Sequence, residues 1–241
     1  MFSTPFTFMA APAGGGFTPA DISDLVGWWD AGDNVTLSGS DVTAWGDKST
    51  GGMGSFTKQS GTDYVYYASG FGTNSLPYIK TKTATYYQSA NDWSSTSSAT
   101  VFVIGQVSAG VNTYARYMST TTDYPNAFTW LITNSSPYSF NSSFSSDLTG
   151  SDMSSIAGTP ILIRTRWNGT NSYMKVNTLT EYSSGGVISS QGNVKLILGY
   201  SNLSYSEPFD VAEIIVYNKY LSNSELTQMN DYITTKYGIT L

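Results

Sequence analysis

The chain has 241 residues, enough for one large all-β domain or two small ones, and 11 Lys and Arg against 17 Asp and Glu leave a net charge of −6. It contains no His and no Cys, which removes Ser-His-Asp and Cys-His relays, zinc sites built on those ligands, disulfide frameworks and axial His or Cys ligation of haem. The cations are scattered, none closer than the two-residue spacing of Arg164 and Arg166, so nucleic acid is not an expected partner. No apolar run approaches the roughly 18 residues that a bilayer span requires.

In chain order, residues 1–18 differ in kind from the rest. They carry no charged side chain, they bring Phe2, Phe6, Phe8 and Met9 close together, and Gly14, Gly15 and Gly16 follow. Such a segment builds no core of its own. It is expected to be an extended arm whose aromatic side chains and Met9 anchor it to another surface. Without a basic start, and with Pro5 and Pro12 interrupting its apolar stretch, it is not read as a secretion signal. Thr18-Pro19-Ala20-Asp21 then has the pattern of a helix start, predicting a short turn that ends near Leu25.

Beyond it lie short β-type runs separated by Gly, Asn, Ser and Asp clusters. The clearest are 42–45, 64–67, 99–107, 128–132, 160–167, 173–176, 194–198 and 209–217, all rich in β-branched and aromatic residues. The runs around Val101–Ile104 and Ile214–Tyr217 are apolar almost throughout and predict central strands covered on both faces. The Ser/Thr-rich stretches 94–98 and 142–146 are expected to be solvated loops. No strand alternates with a long helix, so residues 19–241 are predicted to form one all-β domain, a two-sheet antiparallel sandwich. One helix stands out near the C-terminus. Ser222-Asn223-Ser224-Glu225 is a capping box, Leu221 and Leu226 are spaced for a hydrophobic staple, and Leu226, Met229, Ile233 and Tyr237 follow helical spacing before Gly238.

The run Phe209-Asp210-Val211-Ala212-Glu213-Ile214-Ile215-Val216-Tyr217-Asn218, with the helix ending at Tyr237-Gly238-Ile239, resembles the end of laminin-G-like jelly rolls of the concanavalin A-like lectin/glucanase superfamily. Leu25-Val26-Gly27-Trp28-Trp29-Asp30-Ala31, Val42-Thr43-Ala44-Trp45-Gly46-Asp47-Lys48-Ser49 and Leu76-Pro77-Tyr78 are similar to its front strands. The resemblance covers about residues 20–240. It implies a jelly roll of the type found on bacteriophage virions as decoration, knob or fibre components. On that basis the chain is expected to be a structural virion protein, held to other virion proteins by its arm, repeated as a homo-oligomer and also touching host glycans. The alternative is a lectin-like carbohydrate-binding module, and a glycosidase is the less favoured third reading.

The chemistry bears on that choice. Glucanases of this superfamily carry acidic residues alternating along one strand, and a retaining pair sits about 5–5.5 Å apart. None of the 17 carboxylates here has another two residues away; the close pairs, such as Glu207/Asp210 and Asp210/Glu213, are three apart and point to opposite faces of a strand. No catalytic residue and no cofactor are therefore expected. Glu213, in an apolar strand, has the setting of a general acid with a raised pKa or of a structural carboxylate paired with Arg164 or Arg166; the resemblance favours the second. Asp30, Asp33 and Asp47 have oxygens suited to calcium, but Asp30-Ala31-Gly32-Asp33-Asn34 is also ordinary turn chemistry, which is preferred, so no metal site is assigned. With 18 Tyr, 11 Phe and 6 Trp, aromatic faces are the surplus resource and suit sugar rings or protein partners alike. Tyr86, Tyr87 and Trp93 are the expected ligand contacts. Five Asn-X-Ser/Thr sequons are about what this composition yields by chance and carry no weight.

Overall fold

The chain is seen in a computed structural model, which describes residues 16–93, 97–107, 115–120, 129–133, 139–143, 147–152, 156, 158–184, 194–199 and 208–241. After a 3-10 turn at Pro19–Asp21 come β1 (Leu25–Asp30), β2 (Val35–Ser38), β3 (Asp41–Trp45), β4 (Phe56–Ser60), β5 (Tyr64–Phe71), β6 (Leu76–Lys80), β7 (Tyr86–Ser89), β8 (Ala99–Val107) and β9 (Ala115–Ser119). They are followed by β10 (Thr129–Thr133), β11 (Ser139–Ser143), β12 (Asp147–Asp152), β13 (Pro160–Trp167), β14 (Ser172–Val176), β15 (Tyr182–Ser184), β16 (Ile197–Gly199), β17 (Phe209–Tyr217) and the helix α1 (Asn223–Tyr237).

Antiparallel pairing sorts the strands into two layers. In the first, β15, β14, β13, β8 and β17 lie side by side, and the far edge of β17 is shared by β1 and β6, with β5 beyond β6. The second runs β2, β3, β4, β7, β16, β9, β10, β11, β12. β5 also pairs with β3, so hydrogen bonding is continuous around one edge.

Side-chain alternation then builds two cores on either side of the first sheet. From β8, Ala99, Val101, Val103 and Val107 face inward; from β17, so do Phe209, Val211, Ile214 and Val216. They meet Val42, Trp45, Phe56, Tyr87, Met118 and Leu198 of the second sheet. The interleaved Phe102, Ile104, Leu162, Ala212, Ile215 and Tyr217 face the other way and pack under Leu226, Met229, Ile233 and Tyr237 of α1. The order is second sheet, first sheet, helix, which is why β8 and β17 read as apolar at most positions. Burying one such side chain stabilises the fold by roughly 1.5–3 kcal/mol.

The helix ends as its sequence requires. Ser222 Oγ accepts from the Glu225 amide and the Glu225 carboxylate accepts from the Ser222 amide at 2.8 Å, while Gly238 takes the left-handed conformation at φ 70°. The turn between β5 and β6 grips that end, with Asn74 Nδ2 donating to the carbonyls of Thr235 and Lys236 at 3.2 and 2.8 Å. Gly72 is needed there, because a Cβ would stand 2.7 Å from the Tyr237 carbonyl oxygen at a φ of +67°.

The sequence-predicted strands at 99–107, 160–167 and 209–217 are found with those bounds, and the helix with its caps. The first turn ends beside Leu25, which opens β1. One expectation is corrected. Ser142 and Ser143, expected in a loop, belong to β11, because a Ser-rich segment forms a strand once both neighbours offer it a ladder. Tyr86 and Tyr87 open β7, between β4 and β16, directly after the 81–85 connection.

Candidate ligand-binding face

The helix-covered side of the first sheet carries two polar clusters and a cleft. The first cluster forms around Glu213. A β-bulge on β17 between Val211 and Glu213 places one extra residue opposite β8, so that Ala212 and Glu213 both turn toward α1. Glu213 is completely buried. Its Oε1 accepts from Trp28 Nε1 at 2.6 Å, Tyr232 Oη at 2.8 Å and Lys236 Nζ at 3.1 Å, and its Oε2 accepts from Tyr237 Oη at 2.9 Å. Lys236 also reaches Asp30 at 2.7 Å, and Lys48 stands 3.3 Å from the same carboxylate with its ammonium 4.2 Å from the Trp28 ring centre.

Two acids are thus met by two lysines. Burial by itself would raise Asp30, but the charges of Lys236 and then Lys48 hold its pKa below the usual carboxylate range. Burial would likewise lower Lys236, and Glu213 and Asp30 outweigh it and raise the pKa. Burial and the neighbouring Glu213 charge push the Tyr232 and Tyr237 hydroxyls up, keeping them neutral donors. Glu213 does not pair with Arg164 or Arg166, whose partner is Glu181; its position under the helix puts α1 donors within reach and the arginines beyond it.

The front loop is turn chemistry. Asp47 Oδ1 accepts from the amides of Trp28 and Ser49 at 2.9 and 2.8 Å, and Oδ2 from that of Gly54 at 3.0 Å. Asp33 pairs with Lys48 at 3.1 Å. Among the described residues no group of three or more acidic side chains is placed to hold a metal ion.

The aromatic residues singled out from sequence lie elsewhere than expected. Tyr87 is 1% exposed, stacked on Tyr64 with ring centres 4.0 Å apart, and its hydroxyl donates to the Val42 carbonyl at 2.5 Å. Trp93 is 1% exposed, lies against Trp167 and donates from Nε1 to Asn218 Oδ1 at 2.6 Å. Both are core residues with no free ring face, because Tyr87 takes the inward position of an interior strand and Trp93 is bridged to Val194. Tyr86, the outward neighbour of Tyr87, is half-buried on the opposite side of the sandwich from α1. Phe2, Phe6, Phe8 and Met9 lie outside the described residues.

Concavity is found beside the C-terminal end of α1. A cleft of about 520 Å3 opens there, walled by the Gly70–Thr73 turn and by Gly238–Thr240, with Gln106, Pro160, Thr159 and Asn177 across from them. Gln106 and Pro160 are cross-strand partners on β8 and β13, and Asp210 pairs with Gln106 on its other side. Gln106 makes no side-chain hydrogen bond among the described residues. Asn177, at φ 44°, uses its Oδ1 on the Leu162 amide at 2.7 Å and leaves its Nδ2 donors unspent. Asp210 is pushed up by burial against the pull of Lys80, 3.7 Å away. Next to Gly70 stands Tyr78, stacked face to face on Tyr67 at 4.7 Å and 4°, and Tyr67 is 40% exposed. Amides and hydroxyls therefore converge on the cleft, with Asp210 beside Gln106 and the Tyr78–Tyr67 pair beyond Gly70 at its margin.

From Asn177 the same face continues along β13 and β14. Leu162, Arg164, Lys175 and Asn177 border a small hollow with Asn230 of α1. Arg164 and Arg166 share one carboxylate, Nη2 of each donating to an oxygen of Glu181 at 2.7 and 3.0 Å. Burial would raise Glu181, but the two arginines hold its pKa below the usual range. The Arg166 guanidinium lies against the rings of Tyr173 and Tyr220, at 5.1 and 4.8 Å, the two ring centres themselves being 5.8 Å apart. None of Gln106, Asn177, Tyr67 or Lys175 stood out in sequence; the available signal was a polar residue interrupting an apolar run, as Gln106 does.

Comparison with known proteins places the fold. No family model matches the chain, and no curated protein matches it in sequence. Solved structures do match. Domain 4 of AbnA, a GH43 extracellular arabinanase of Geobacillus stearothermophilus solved with arabinotriose, gives a TM-score of 0.61 at 14% identity over 86% of this chain and 98% of that one. The receptor binding domain of botulinum neurotoxin D gives 0.60 at 10% identity, over 93% and 57%. The binding domain of Paraclostridial Mosquitocidal Protein 1 gives 0.58 at 15% identity, over 90% and 53%. The chain has the fold of these β-sandwich domains. It spans nearly the whole of the first and about half of the other two.

Proposed function

We propose that the protein is a non-catalytic binding module that holds a saccharide in the cleft beside the C-terminal end of α1. The observation that carries this reading is the cleft's lining, the Gln106 amide, the Asn177 Nδ2 donors and threonine hydroxyls, with the exposed ring of Tyr67 beyond the Gly70 wall. Hydroxyl-rich rings need paired donors and acceptors, which this lining supplies, and an aromatic surface to lie on, which Tyr67 offers at its margin. That the arabinanase domain of the same fold was solved with arabinotriose supports the choice of ligand class. Glu213, the carboxylate best placed by sequence for acid catalysis, is sealed under the helix with its lone pairs taken, which supports binding over hydrolysis.

The finer placement follows from the resemblance to laminin-G-like jelly rolls of phage particles. On this reading the module is a virion component, repeated in several copies, presenting its cleft to host glycans and fastened by residues 1–18. Phe17, where that segment meets the domain, packs edge-on against Tyr232 of α1 at 6.4 Å. Deleting residues 1–16 is expected to leave a folded domain that no longer joins its particle; assembly at wild-type occupancy would refute the arm's role.

The saccharide reading is tested with a printed oligosaccharide panel and an assay for released reducing ends. Retention of at least one saccharide, lost in Gln106→Ala and without turnover, is the expected result. Turnover abolished by Glu213→Gln in a folded protein would overturn it, as would retention of no saccharide.

A further inference from the structure

We infer that the saccharide is an acidic one, its carboxylate or sulfate held by the basic strip of β13 and β14 that continues the cleft. This rests on the cleft being a saccharide site. The strip starts at Asn177, which borders both the cleft and the hollow lined by Arg164 and Lys175. From Asn177 to Tyr173 is four residues of strand, about 13 Å, room for two or three sugar rings.

The charge on that strip is out of balance. Arg164, Arg166 and Lys175 are set against Glu181, a local surplus of two positive charges in a chain whose net charge is −6. Lys175 lies opposite Arg164 in the β13–β14 register and makes no ion pair among the described residues. The Arg164 and Arg166 side chains are 8% and 9% exposed, and the Nε of each is buried without a hydrogen-bond partner. A guanidinium with a buried nitrogen left without a partner is costly unless something else compensates it.

The geometry is also fixed in advance. Glu181 ties the two arginines at one side, and the adjoining rings of Tyr173 and Tyr220 together back Arg166. Planar guanidinium forks held in this way suit an oxyanion with two acceptor oxygens better than any neutral sugar hydroxyl. The neighbouring Glu213 cluster shows the contrast on the same sheet face: there two acids meet two lysines and every charge is answered.

The test is an oligosaccharide panel in which each carboxylated member is paired with its methyl ester, read with the wild-type chain, Lys175→Met and Glu181→Gln. Wild type is expected to bind a carboxylated member about tenfold or more tighter than its ester, the worth of one charge-assisted hydrogen bond. Lys175→Met should remove most of that preference and leave ester binding unchanged. Glu181→Gln should increase it, since the surplus rises from two to three. Equal binding of acid and ester, or a preference that survives in Lys175→Met, overturns the inference and leaves the cleft reading standing. If neither form of any pair is retained, the cleft reading itself fails.

Discussion

Two clusters on one face of one sheet are built from the same materials to opposite ends. Around Glu213, two acids, two lysines, two tyrosines and a tryptophan close on themselves beneath α1. Around Arg166, two arginines converge on a single glutamate, with two tyrosines against Arg166 and Lys175 beside Arg164. The first is saturated, and its donors and acceptors are spent on joining helix to sheet. The second has capacity to spare and lies next to a cleft. Saturation, more than residue type, separates a cluster that holds the fold from one that can hold a ligand.

The sharpest way to break this comparison is to remove one lysine from each cluster. Lys236→Met leaves Asp30 with Lys48 as its one remaining cation and Glu213 with none, and should cost about 3–5 kcal/mol in urea unfolding. Lys175→Met should change stability by less than about 0.5 kcal/mol. Equal losses from the two would mean that the clusters share one role. Gln106→Ala separates binding from folding at the cleft: saccharide affinity should fall about tenfold with unfolding unaltered.

Smaller effects sharpen the account of the helix that divides the two clusters. Gly238→Ala forces a Cβ into the left-handed cap at φ 70° and within 2.6 Å of Thr73 Oγ1, and should cost about 1 kcal/mol or more. Glu225 is pushed down to about 2, first by the hydrogen bond from Lys219 and then by Ser222. A carboxyl lowered by folding contributes stability that is whole above its ordinary pKa and is lost as pH falls through the folded one. Stability should therefore decline as pH falls from about 4.5 toward about 2, with Asp30, also lowered, adding to the decline. A flat profile across that window, followed by chemical denaturation, would contradict the assigned pairs.

Much of the scaffold was legible before any coordinates. β8, β13 and β17 declare themselves because burial on both faces favours long runs of apolar residues, and α1 because its cap, staple and stop are local signals. The second sheet was harder. β11 and β12 are written in Ser, Thr, Asn and Asp, and their strand character comes from neighbours far away in sequence. The site was least legible. Tyr87 and Trp93 were singled out for being aromatic, yet an aromatic residue in an interior strand is core unless its face is known, and a one-residue change of parity decides that. Gln106, Asn177 and Lys175 converge only through pairing of β8, β13 and β14, which no linear motif records.

The most direct test of the central claim is an amide chemical-shift titration of the labelled protein with a saccharide retained on the panel. Perturbations centred on Gln106, Lys175 and Asn177, with little change at Asp30 or Glu213, are the predicted result. Shifts confined to β4 and β7 on the opposite face, around Tyr86, would show that the ligand binds the second sheet and that the cleft is not the site.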